Sequence, residues 1–155
     1  MRDTKKWKTE WDLSIYYKNP NDPQIEKDLL ETEQKVAKFV EKYKKNKDYL
    51  ENPKALKDMF IEENEINLLN GVNKPLRYLH FLVDSGKATP DVYKKEVLIT
   101  ERLKKIGNTM LPISLSIGKI PTQKQKEFLK SPELKDYKYY LERYFESAKH
   151  QLTEP

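Results

Sequence analysis

The chain has 155 residues, the size of one domain, with 37% hydrophobic and 35% charged residues and a formal net charge of +5. Its mean hydropathy of -0.92 excludes a thick apolar core and favours thin helical layers with one buried face each. There are no cysteines, so disulfides and thiolate metal sites are excluded, and a reducing cytoplasm is the expected compartment. No apolar run approaches the roughly 18 residues of a membrane span, and no apolar signal region follows the charged Met1–Lys8 start.

Residues 1–21 are read as an extended N-terminal anchor. Trp11-Asp12-Leu13-Ser14-Ile15-Tyr16-Tyr17 is short and alternately aromatic and polar, and Asn19-Pro20-Asn21-Asp22-Pro23 closes it with turn residues. Residues 22–155 are read as one helical domain. Asp22 supplies a capping oxygen and Pro23 a pre-set first helical residue. A single long helix is expected from there to about Tyr49, with Leu29, Leu30, Val36, Ala37, Val40 and Tyr43 on its inner face.

Asn52-Pro53 repeats the cap-and-proline start. The helix after it carries Leu56, Phe60, Ile66 and Leu69, and Asn70-Gly71 is expected to stop or bend it. Leu76, Leu79, His80, Phe81, Leu82 and Val83 follow as the most buried helix, ended by Asp84-Ser85-Gly86. Thr89-Pro90-Asp91 opens the next, with Tyr93, Val97, Thr100, Leu103 and Ile106 inward. Pro112 predicts a kink or break near Met110–Ile113, and the alternation of Ile113, Leu115 and Ile117 with serines leaves a short extended stretch as an alternative. Thr122 and Gln125 have capping-box spacing for a short helix to about Lys130. Ser131-Pro132-Glu133 starts the last helix, with Leu134, Tyr137, Leu141, Tyr144, Phe145 and Ala148 along its face. The fold class predicted is all-α, an antiparallel array of five to seven helices including one long N-terminal helix.

Little in the chain carries chemistry. Neither His80 nor His150 has a metal-ligand companion at helical spacing; His80 reads as a satisfied, semi-buried core residue. There is no His-Glu-x-x-His helix and no Gly-rich phosphate loop. Glu62-Glu63-Asn64-Glu65 reads as a solvated helix face, with Glu62 and Glu65 sharing a cation as the alternative. Tyr137, Tyr139, Tyr140, Tyr144 and Phe145 read as packing surface, with stacking on unpaired bases as the alternative. From Lys35 to Lys57 eight lysines stand against Glu41, Asp48 and Glu51. That stretch reads as a helix end and loop, or as a contact for an acidic or nucleic-acid partner. No catalytic, cofactor-binding or metal-binding residue is assigned.

A family resemblance adds to this reading. Trp11-Asp12-Leu13-Ser14-Ile15-Tyr16 resembles the Trp-Asp-Leu-Ser-x-Leu/Ile-Tyr opening of oligoendopeptidase F-type zinc metallopeptidases, which are related to thimet oligopeptidase. Ser131-Pro132-Glu133-Leu134-Lys135-Asp136-Tyr137-Lys138-Tyr139-Tyr140-Leu141-Glu142 is similar to a second motif of that family, with Lys138-Tyr139 where Arg-His is usual. His150-Gln151-Leu152-Thr153-Glu154-Pro155 resembles the His-x-Leu-Ser-Glu-Pro segment that leads into the rest of such enzymes. Phe39–Tyr43 and Phe81–Asp84 fall at similar places between. The resemblance implies an N-terminal helical domain that forms part of a substrate-channel wall and limits access to short peptides. It implies that zinc and its ligands belong to a catalytic domain expected after Pro155, so this chain is expected to be inactive alone. Its implied partners are that catalytic domain and, in the whole enzyme, oligopeptides. An unpartnered apolar face is expected to give the isolated chain weak self-association. The free-standing helical binding module is the alternative.

Overall fold

The computed structural model describes residues 11–68 and 70–149, without the side chains of residues 68 and 70–72. The sequence motif 150–155, His150 and Leu69 therefore lie outside the described residues. Among those residues the chain is all-α: α1 (Pro23–Lys45), α2 (Pro53–Leu68), α3 (Asn70–Asp84), α4 (Pro90–Gly118), α5 (Thr122–Lys130) and α6 (Lys138–Ala148). Short 3-10 segments lie at Leu13–Ile15, Asp48–Leu50 and Pro132–Tyr137.

The helix starts follow their caps. Asp22 accepts from the Gln24 amide at 2.9 Å and Pro23 takes the first helical position. Asn52 accepts from the Lys54 amide in the same way. α1 stops at Lys45, four residues before the expected end, because Asn46 turns extended and its side chain accepts from the Asp48 amide. Asn70 does not end a helix; it opens α3. Gly86 ends the α3 region with φ +68, its amide on the Val83 carbonyl and the Lys87 amide on Leu82, a pattern that uses the left-handed region open to glycine.

Four other expectations are corrected. The anchor expected to be extended contains a 3-10 turn, in which Asp12 accepts from the Ser14 amide and hydroxyl. α4 runs unbroken through Pro112, which lies with Asn108 on the exposed side, where the carbonyl that the proline leaves unpaired is within reach of water. The Thr122–Gln125 capping box does not form: Pro121 is the cap residue and the Gln125 amide nitrogen Nε2 donates to the Ile120 carbonyl at 2.7 Å. Ser131 opens a 3-10 segment rather than α6 itself.

Side-chain pairings fix the directions. Tyr43 meets Glu62, Asp28 meets Lys74 and Tyr17 meets Tyr78, so α2 and then α3 run antiparallel along α1. His80 meets Glu96 while Phe60 and Ile113 border one cleft, so α4 is antiparallel to both. Lys95 reaches Pro20 and Arg102 reaches Glu26 and Glu33, which makes α1 and α4 parallel. The result is an up-down-up array, with α4 spanning about 44 Å at 1.5 Å per residue.

Buried apolar residues gather in two clusters. One joins Val36, Phe39, Tyr43, Leu56, Met59 and Phe60 to Ile113, Ile117, Phe128, Leu134, Leu141 and Phe145, so that α5 and α6 close one end of the array. The other joins Tyr17, Ile25, Leu29, Tyr78, Leu79, Leu82, Val92 and Ile99 at the opposite end. The inner face expected for α4 is rotated: Val92 and Ile99 are buried, while Tyr93 and Val97 are exposed. Leu30 and Ala37 on α1 are likewise exposed.

A buried polar knot ties the N-terminal segment into the second cluster. Asp28 is 8% exposed and accepts from the Tyr17 hydroxyl at 2.7 Å and from the Gln24 side chain at 2.6 Å. Lys74 lies 3.6 Å from the same carboxylate, over the Tyr17 ring. Burial, then the bond to Asp28, pushes the Tyr17 hydroxyl pKa well above its ordinary range, so it stays a donor. Tyr17→Phe is expected to lower stability by about 1–2 kcal/mol, since the buried Asp28 carboxylate loses one donor. Urea denaturation of the two proteins at neutral pH measures this.

Candidate interaction surface

The parallel pair α1 and α4 is held across its outer side by Arg102. Its Nε and Nη2 bond Glu33 at 2.7 and 2.9 Å, and its Nη1 bonds Glu26 at 2.7 and 2.9 Å. The planar guanidinium suits such forked contacts, which an ammonium does not reproduce. Glu33, then Glu26, keeps Arg102 protonated still more firmly than usual, and Arg102 holds the Glu33 carboxyl below its ordinary range.

This bridge divides a long groove. On one side lies a recess of about 370 Å³ walled by Ile25, Leu29, Leu98 and Ile99. On the other lies a recess of about 560 Å³ with Val36, Ala37, Val40 and Ile106 as its apolar lining and Glu41, Lys44 and Lys105 at its edges. Leu98 is 55% exposed beside the first recess.

A second surface forms where α2, α4 and α6 meet. Phe60 packs against Tyr137 and Tyr140, with ring centroids 5.2 and 5.4 Å away, and Tyr140 against Tyr144 at 5.8 Å. Tyr144 and Phe145 thus pack, as expected, while Tyr140 remains 47% exposed and Tyr139 is exposed with the Arg143 guanidinium over its ring. Glu63 sits among Phe39, Met110, Ser114, Tyr140 and Tyr144, and burial raises its carboxyl pKa. Burial, then the Glu63 charge, raises that of the Tyr140 hydroxyl as well.

The acidic run therefore divides. Glu62 pairs with Lys42 and accepts from the Tyr43 hydroxyl at 2.8 Å, Glu63 turns inward, and Glu65 is exposed. Leu56, Phe60, Glu63 and Ile66 fall at steps of three and four, and that spacing is the signal that places Glu63 on the packed face. His80 is not a core residue: its side chain is 50% exposed with Nε2 3.0 Å from Glu96. The lysine-rich stretch is interleaved with carboxylates, Lys35 with Glu31, Lys42 with Glu62 and Lys45 with Glu41. Among the described residues no three His, Cys, Asp or Glu side chains are grouped to hold a metal ion, and no helix is long and apolar enough to cross a membrane. The described residues do not fit a zinc centre.

Residues 117–155, from the end of α4 through α5 and α6, match the family model described as Oligopeptidase F. Over those residues the chain is similar to oligopeptidase F proteins. This match covers about a quarter of the chain. No curated protein and no solved structure matches. Within the matched residues the motif residues have structural roles. Ser131 bonds Glu133 at the start of the 3-10 segment, and Leu134 and Leu141 are among the most buried side chains. The Trp11–Tyr16 opening lies outside the matched residues; there Tyr16 and Trp11 set their rings edge-on to Phe81 at 5.5 Å.

The raised Glu63 pKa has a definite sign. The folded chain binds this proton more tightly than the unfolded chain, so the favourable contribution is present below the ordinary glutamate range and is lost as pH rises through the raised value. Glu63→Gln, neutral throughout, is expected to raise the melting temperature by a few degrees at pH 7, with the gain shrinking towards pH 4. Thermal melts followed by circular dichroism across that range test it.

Proposed function

We propose that this chain is the substrate-restricting N-terminal helical domain of an oligoendopeptidase F-type zinc peptidase, forming part of the wall of a channel that admits only short peptides. The family match over residues 117–155 is the observation that carries this reading. The long helices support it: α4 alone spans about 44 Å, with Tyr93, Val97 and Leu111 exposed along one side. Exposed apolar side chains along one helix are what a covering neighbour needs. The zinc, its ligands and the general base belong in this reading to a catalytic domain that follows in the same polypeptide. The domain's own part is steric, since a wall of packed helices narrows the channel against chains longer or bulkier than a short peptide.

The reading predicts two outcomes. The isolated chain, given zinc and a quenched fluorescent peptide of about ten residues, leaves it uncleaved, whereas the polypeptide extended by the coding sequence after Pro155 cleaves it. Deleting the helical domain from the extended protein, or wedging its exposed face with Val97→Arg, raises cleavage of an unfolded protein such as reduced casein relative to the short peptide by about tenfold or more. Zinc-dependent hydrolysis by the isolated chain would sink the reading. So would a downstream frame without His-Glu-x-x-His.

A further inference from the structure

The outer side of the α1/α4 pair has the shape of a vacant helix position. Along α1 the groove is lined at Glu26, Leu29, Glu33, Ala37, Val40 and Lys44, and along α4 at Lys95, Leu98, Arg102, Ile106 and Thr109. Both sets advance by three and four residues, the spacing that takes the ridges of a third helix. α1 and α4 are parallel with α2 and α3 antiparallel behind them, so a helix antiparallel to both would complete an up-down-up-down bundle.

The charges along the groove are unequal. Glu26 and Glu33 are taken by Arg102, Glu41 by Lys45, and Lys95 by the Pro20 carbonyl and Asn21. At the larger recess Lys44 and Lys105 have no hydrogen-bond or ion-pair partner among the described residues. An apolar floor with two uncompensated ammonium groups beside it calls for an apolar side chain flanked by carboxylates.

We propose that this end of the groove docks an amphipathic helix running antiparallel to α1 and α4. It seats an apolar i, i+4 pair between Ala37 and Ile106 and carries acidic residues on its flanks, in its first turn against Lys44 and about two turns further along against Lys105. The direction follows from dipoles as well as packing. The amino end of the incoming helix then lies beside the carboxyl end of α1 at Lys45, and acidic residues in a first turn are favoured by their own helix. The recess of about 560 Å³ is within the range of sites that bury bulky apolar groups. The inference does not depend on the peptidase reading.

Two fluorescein-labelled synthetic peptides of about five helical turns test it, identical in their leucine stripe but bearing glutamates or lysines in the first turn and about two turns further along. Fluorescence anisotropy against the whole 155-residue chain is expected to show the glutamate peptide binding about tenfold tighter or more, with the preference falling in high salt. Lys44→Glu combined with Lys105→Glu inverts the preference, and Ala37→Arg abolishes binding of both. All three positions are exposed, so melting curves of the variants should overlay that of the parent. Equal binding of the two peptides, or a preference that survives Ala37→Arg, overturns the proposal. Sedimentation supplies a further arm: a dimer that Ala37→Arg dissolves assigns the groove to a second copy and also overturns it.

Discussion

Arg102 does for α1 and α4 what apolar side chains do at the two ends of the array. Ile25 and Leu29 of α1 share one apolar cluster with Val92 and Ile99 of α4, and Val36 and Val40 share the other with Ile113 and Ile117. The two parallel helices still need a fixed spacing on their outer side. One guanidinium bonded to Glu26 and Glu33, a helical repeat of seven apart on α1, bridges the pair there. Because the bridge is bulky and polar, the groove stays open above and below it. A closed apolar seam at the same place would have left neither recess.

The same economy explains the polar knot at Asp28. A carboxylate that is nearly inaccessible to water is costly unless its lone pairs are used. Tyr17, Gln24 and Lys74 use them, and each comes from a different place: the N-terminal segment, the first turn of α1, and α3. The 3-10 turn that starts at Leu13 delivers Tyr17 to this point and sets Tyr16 against Phe81. Trp11, Tyr16 and Tyr17 together pin this short segment to a helical layer. At the other end Ser131, Leu134 and Leu141 do the corresponding work for α6. Motifs that look functional in a sequence are here devices for fixing helix ends.

Helix existence was legible in the chain because its signals are local. Asp22-Pro23, Asn52-Pro53 and Asp84-Ser85-Gly86 mark starts and stops through side chains acting within a few residues. Facing was less legible. Leu30, Ala37, Tyr93 and Val97 lie on apolar arcs wider than the stripe that is buried, and periodicity alone does not say which edge of an arc meets a neighbour. Thr122 and Gln125 had the spacing of a capping box, but Pro121 set the chain direction and Gln125 found the Ile120 carbonyl instead. Pro112 left α4 unbroken because it falls on the solvent side.

Composition, caps and periodicity by themselves determined an all-α chain with long helices and no cysteine for thiol chemistry, because each of these is read from residue content or from residues near one another in sequence. Only the tertiary structure decided that Arg102 would join Glu26 to Glu33, that Glu63 would turn inward between Tyr140 and Tyr144, and that Lys44 and Lys105 would stand uncompensated beside an apolar recess. These facts join residues far apart along the chain. They are set by helix direction and rotation, which the summed packing of all six helices fixes and no local stretch encodes.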